Sequence, residues 1–143
     1  MDNCAIKSVR YCLALDLKDD PKLIEEYEKY HKDVWPDILN NIKKADVLEM
    51  DIYRVSNRLF MIMETGPNFS FEKMKEANDK SETNKKWEDL MWNFQQKLPF
   101  AKQGEKWILM DKIFSLNNKD NSISKTKNQS VKKKESKNQY KKQ

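Results

Sequence analysis

The chain's one histidine, His31, stands four residues after Tyr27. The surrounding apolar residues recur at Leu23, Ile24, Tyr27, Tyr30, Val34, Trp35 and Ile38. Side chains at i and i+4 lie on one face of a helix. The spacing therefore turns a phenol and an imidazole the same way, four residues before the indole of Trp35. Imidazole is the side chain whose unperturbed pKa, roughly 6.5, lets it take and return protons near neutrality. Held between aromatic walls, it suits proton transfer on a neutral, ring-shaped molecule. On spacing alone, a satisfied core or surface histidine is the commoner outcome, with Tyr27 as core packing. A single histidine with no carboxylate–histidine spacing argues against a metal site, and no cofactor is expected.

The elements that must position this pair can be read from the pattern. Residues 8–17 alternate, with Val9, Tyr11, Leu13 and Leu15 on one face, and read as a strand covered on both sides. Asp20 followed by Pro21 opens a helix, a capping carboxylate preceding a residue with helical φ. The helix is expected to run to about Asp33. Pro36 should kink it or start a second segment through Ile38, Leu39 and Ile42. Leu48 to Val55 and Arg58 to Thr65 read as two strands joined by the short turn Ser56-Asn57, with Leu48, Met50 and Ile52 expected on one face. Phe71, Met74 and Ala77 outline a short helix. Trp87, Leu90, Met91 and Phe94 outline another, closed by Leu98-Pro99-Phe100. Lys106 to Leu116 read as a final strand. The order β-α-β-β-α-β is the ferredoxin-like α+β arrangement, an antiparallel sheet with helices on one face. Because both faces of several strands are apolar, a second copy packing on the uncovered face, as a homodimer, is expected.

Composition bounds the remainder. The 143 residues make one domain of about 1–116 and an appendage, 117–143, that is Lys/Asn/Ser-rich and expected to be disordered. The net charge of +5 belongs to that appendage. It holds nine lysines against Asp120 and Glu135, a net of +7, so the body is net −2. Lysines such as Lys132, Lys133 and Lys134 without an aromatic platform read as a solvated tail rather than a nucleic-acid site. No apolar run is long enough to span a bilayer, and the first ten residues lack a signal-peptide core. Cys4 and Cys12 have no metal or redox spacing. Together these features point to a cytoplasmic protein.

Three segments carry a family resemblance. The first is Tyr27-x-x-x-His31 with Val34-Trp35-Pro36-Asp37. The second is the hairpin Met50-Asp51-Ile52-Tyr53 and Asn57-Arg58-Leu59-Phe60. The third is Lys86-Trp87-Glu88-Asp89-Leu90-Met91. In order and spacing, from about Tyr11 to Leu116, the chain resembles the L-rhamnose mutarotase family. The resemblance implies a dimeric α+β barrel and interconversion of the α and β anomers of a deoxysugar, with His31 as the catalytic proton donor. It implies substrate contacts from Tyr27, Met50, Trp87 and Glu88. The best-known enterobacterial pattern has tyrosine at the position of Met50 and a second tryptophan at that of Glu88. These departures leave the proton chemistry alone and leave the choice between L-rhamnose and L-fucose open. A related branch with an ending like Pro99-Phe100-Ala101-Lys102 and Gly104-Glu105-Lys106-Trp107 occurs with L-fucose pathways. Trp35 and Arg54 are further pocket candidates, the indole for C–H faces and the guanidinium for hydroxyls.

Anomer exchange requires only that the anomeric hydroxyl lose a proton while the ring oxygen gains one, with the reverse on closure. One positioned acid–base group supplies roughly 100- to 10,000-fold. Two other classes compete. Dimeric α+β barrels also host haem-degrading and quinol monooxygenases, and a non-catalytic module could act through its lysine tail.

Overall fold

The computed structural model describes residues 8–117, so Cys4 and nearly all of the expected tail lie outside the described residues. The elements are β1 (Val9–Leu17), α1 (Pro21–His31), α2 (Pro36–Lys44), β2 (Val47–Val55), β3 (Arg58–Thr65), α3 (Phe71–Lys80), α4 (Glu82–Trp92), β4 (Gln95–Gln96) and β5 (Ile108–Leu109). The antiparallel sheet runs β2-β3-β1-β4, and β5 also pairs with β1. This is the expected α+β order with each helical crossover divided in two, a short extra strand at β4 and the last strand cut down to Ile108–Leu109.

Each division has a local cause. Asp20 caps α1 by accepting from the Lys22 and Leu23 amides at 2.9 and 3.5 Å, and Pro21 occupies the first turn. Pro36 starts α2, because a residue with no N–H fits only the first turn of a helix. Ser81 ends α3 and caps α4, its hydroxyl accepting from the Asn84 amide at 3.1 Å. Asn41 of α2 donates to the same hydroxyl at 3.3 Å, which ties the two helical pairs together. At the end of α2, Asp46 adopts φ 70° and accepts from the Asn68 amide at 2.8 Å. A Cβ on Gly66 would lie 2.3 Å from that carboxylate, so a larger residue here would have to push the Asp46 side chain from its place at the Asn68 amide.

β1 is the centre of the sheet. It pairs with β3 from Val9↔Thr65 to Asp16↔Arg58, and β2 pairs with β3 on the far side. Alternation puts Leu13, Leu15 and Leu17 of β1 under the helices beside Met61 and Leu59 of β3, all buried. Cys12, Ala14, Phe60 and Ile62 take the opposite face. At its end the buried Asp16 carboxylate accepts a two-pronged bond from Arg58, Nε at 2.7 Å and Nη2 at 3.1 Å.

Three local expectations are corrected. Leu48 is exposed while Val47 is buried. The register slips between Val47 and Glu49, and the extra residue of this bulge turns Leu48 outward. The last helix ends at Trp92, not near Leu98, because the following residues join the sheet at β4. The final strand is Ile108–Leu109 only. Its register places Leu109 opposite Leu13, so residue 113 would face Val9, the first residue of β1, and nothing further could pair. Beyond Met110 the chain leaves the sheet, and Ile113, Phe114 and Leu116 are exposed. No described helix is long and apolar enough to cross a membrane.

The core has two buried groups. One gathers Leu17, Tyr27, Ile38, Leu59, Trp87, Met91 and Phe94 under α1, α2 and α4. The other gathers Leu13, Val47, Met61, Met63 and Phe71 near α3. Ile42, Ile52 and Trp107 pack against both.

Candidate active site

The site forms where the last two turns of α1 meet α4. Tyr27 and His31 are one helical step apart on the inner face of α1, and their rings stack obliquely with centroids 4.4 Å apart at 37°. Trp87 reaches in from α4, its indole 5.6 Å from the imidazole and nearly edge-on at 67°. Tyr30 and Trp35 close on the other sides of that indole, at 6.5 and 5.0 Å. Tyr27 and Trp87 are buried and His31 is half-buried.

The imidazole is fixed by one bond. Its Nδ1 lies 2.9 Å from the Tyr27 carbonyl oxygen. A carbonyl only accepts, so Nδ1 carries the hydrogen and donates. Nε2 is left with its lone pair and no partner among the described residues. Burial pushes the imidazole pKa below 6.5, against the opposing pull of the Tyr27 carbonyl, which steadies the cation. At neutral pH the ring is therefore mainly a neutral base of defined tautomer.

The phenol is its complement. Burial raises the Tyr27 pKa to about 12; the Gln95 bond pulls the other way, and the Glu88 carboxylate pushes further up. The hydroxyl accepts from Gln95 Nε2 at 3.4 Å, a long bond, so its own proton remains available to donate. A base and a weak acid thus stand side by side in an aromatic enclosure. That is the pairing an exchange of two protons at neighbouring oxygens needs.

The other expected residues are placed unevenly. Glu88 lies on the outer side of α4, half-exposed, and accepts from Lys106 Nζ at 2.8 Å. Its field reaches the Tyr27 phenol, which puts it at the rim of the site. Lys106 also lies 5.0 Å above the Trp92 ring. Arg54 is bound to the Glu28 carboxylate through Nε and to the Ser56 carbonyl through Nη1 at 2.6 Å. Met50 is half-buried against the second core group, opposite Met63, and not against the group that holds Tyr27 and Trp87. The structure therefore brings Tyr27, His31, Trp87 and Trp35 together, puts Glu88 at the edge and leaves Met50 apart. Gln95, bonded to the phenol, went unread from the sequence. Nothing in Phe94-Gln95-Gln96-Lys97 separates the buried glutamine from the exposed one that follows.

Residues 10–116 match the family model described as L-rhamnose mutarotase. A protein named L-fucose mutarotase from Xanthomonas campestris pv. campestris is 39% identical over 110 residues, spanning 75% of this chain and 87% of that protein. A UPF0734 protein of Dictyostelium discoideum is 38% identical over 123 residues, spanning 81% of this chain and 94% of that one. A solved L-rhamnose mutarotase from Formosa agariphila superposes with a TM-score of 0.56 at 22% identity, covering 76% of this chain and 98% of that one. This last likeness confirms the fold.

Proposed function

The chain belongs to the L-rhamnose mutarotase family, and from that premise we propose that it interconverts the α and β anomers of L-rhamnopyranose, with His31 as the acid–base residue. It is an isomerase of the aldose 1-epimerase type. The observation that carries the assignment of His31 is the bond from Nδ1 to the Tyr27 carbonyl, which leaves Nε2 as a free lone pair beside a protonated phenol. In the opening step Nε2 takes the proton of the anomeric hydroxyl. The C1–O5 bond breaks, O5 keeps its electron pair, and the Tyr27 phenol, or a water beside it, delivers a proton to O5. The aldehyde then rotates. Closure reverses both transfers, with the imidazolium returning its proton to the new anomeric oxygen. Trp87 and Trp35 supply apolar cover for C–H faces and the 6-methyl group. Glu88 at the rim accepts from a hydroxyl, and Met50, packed against the other core group, takes no part in holding the sugar.

A second reading is favoured by one observation. The relative at 39% identity is an L-fucose mutarotase, so L-fucose is the alternative sugar for the same chemistry. Exchange NMR on the anomeric protons of both sugars tests the proposal. We expect acceleration over the protein-free rate, larger for L-rhamnose. Faster exchange of L-fucose would move the assignment to that sugar, and no acceleration of either would overturn it. The rate should be flat near neutrality and fall as the pH drops below 6.5 through the lowered imidazole pKa, because the base form is then lost. Stability should decline in the same window. The unfolded chain takes up its proton first, at the ordinary value, and the folded state only at the lower one. A rate that instead rises on acidification excludes His31 as the base.

The homodimer belongs to the same proposal. The sheet face opposite the helices presents Cys12, Ala14, Phe60 and Ile62 at its centre. Tyr53, Val55, Ile113 and Phe114 are exposed. A second copy laid on this face buries that surface. Sedimentation should return twice the chain mass, and a monomer at micromolar concentration would refute the pairing.

A further inference from the structure

Gln95 is a polar residue in an apolar place. Its backbone pairs with Leu17 in β4, and it is 5% exposed, between the buried Phe94 and the buried Leu98 nearby. Leucine or methionine would suit such a position, since a buried amide must find partners for both of its ends. One end has a partner: Nε2 donates to the Tyr27 hydroxyl. The other does not, for Oε1 is buried with no hydrogen-bond partner among the described residues. Turning the amide over exchanges the two ends and still leaves one unpaired. The unpaired end belongs to a side chain already bonded to the phenol of the candidate site.

We propose that Gln95 is a substrate-recognition residue, its free amide end paired by a ring hydroxyl of the sugar while its other end aims the Tyr27 phenol. This rests on the reading of the Tyr27–His31 pair as a sugar site. A hydroxyl has both a donor and an acceptor, so it satisfies whichever end of the amide is presented. A sugar lacking that hydroxyl leaves the amide unpaired, and discrimination against such an analogue is the signature of a site built this way. Gln95 thereby selects the substrate through one oxygen and, through Tyr27, holds the group that serves the ring oxygen.

The test compares parent and Gln95→Leu protein, apolar and unable to bond, on the accepted sugar and on its series of monodeoxy analogues. For the parent sugar, kcat/KM should fall at least about tenfold on substitution, the scale of a lost hydrogen bond to substrate. For one monodeoxy analogue the loss should be at least about threefold smaller, reduced to the part that comes through Tyr27, since the sugar partner is already missing. Gln95→Met, similar in volume, should behave as Gln95→Leu if bonding rather than shape is at issue. An equal loss on every analogue would make Gln95 a structural residue and overturn the proposal, as would an unchanged rate on the parent sugar. These outcomes require a parent protein that accelerates exchange. A parent inactive on all sugars would remove the site reading itself, and this proposal with it.

Discussion

Replacing His31 by alanine should lower the protein's acceleration of anomer exchange by about 100- to 10,000-fold, the range of a positioned acid–base group. The reasoning is geometric. Nδ1 is committed to the Tyr27 carbonyl at 2.9 Å, so only Nε2 can reach a substrate, and it does so as a base. His31 joins a pKa lowered by burial to direct contact with the rings of Tyr27 and Trp87. His31→Gln separates loss of chemistry from loss of packing, because it keeps a polar side chain of comparable reach and cannot carry the proton. Both variants should remain folded, since His31 is half-buried at a helix end rather than in the core. The measurement is line-shape or exchange NMR of the anomeric protons, with circular dichroism as the control. A folded alanine variant that exchanges the sugar at the parent rate would sink the assignment.

The second large effect is on stability. Trp87→Ala should destabilise the fold by about 3–5 kcal/mol, the cost of a buried tryptophan truncated to alanine. The indole is 7% exposed and touches His31, Tyr30 and Trp35, so its removal leaves a cavity that three rings must reshape to fill. Set against a total of about 5–15 kcal/mol for a domain of this size, that is a large fraction. The urea midpoint should fall accordingly. Trp87→Phe keeps an aromatic wall and should cost less, leaving enough folded protein to compare exchange rates. Its expected defect is weaker sugar binding, because phenylalanine is too small to reach both His31 and Trp35. An alanine variant with the parent's midpoint would show that Trp87 only lines an opening.

Much of this arrangement was legible in the chain because it is local. The four-residue step from Tyr27 to His31 is a helical neighbour relation, and it appears as ring contact at 4.4 Å. Pro36 breaks the helix for a reason contained in its own ring. What was not legible depends on partners remote in sequence. Leu48 alternates correctly with Met50 and Ile52, yet a bulge set by pairing with β3 turns it outward. The residues after Lys106 alternate like a strand, yet β1 offers its outer edge to two different segments, Gln95–Gln96 and Ile108–Leu109, and then ends. Met50 and Glu88 came from family resemblance. Packing sets the first against the second core group and the second in an ion pair with Lys106. Gln95 carries no local signal, because burial of one glutamine rather than its neighbour is decided by which face of a two-residue strand meets the core.

His31 is also the terminal residue of α1, and this position has an electrostatic consequence. The peptide dipoles of a helix sum to roughly half a negative charge at its C-terminal end. The imidazolium that forms as the ring opens is thus created at the negative pole of its own helix. Burial keeps the resting base neutral, and the pole favours the cation once it exists. The two influences oppose each other in the ground state and separate along the reaction. Lengthening α1 past Lys32 would move that pole away from the ring and make the transient charge harder to hold.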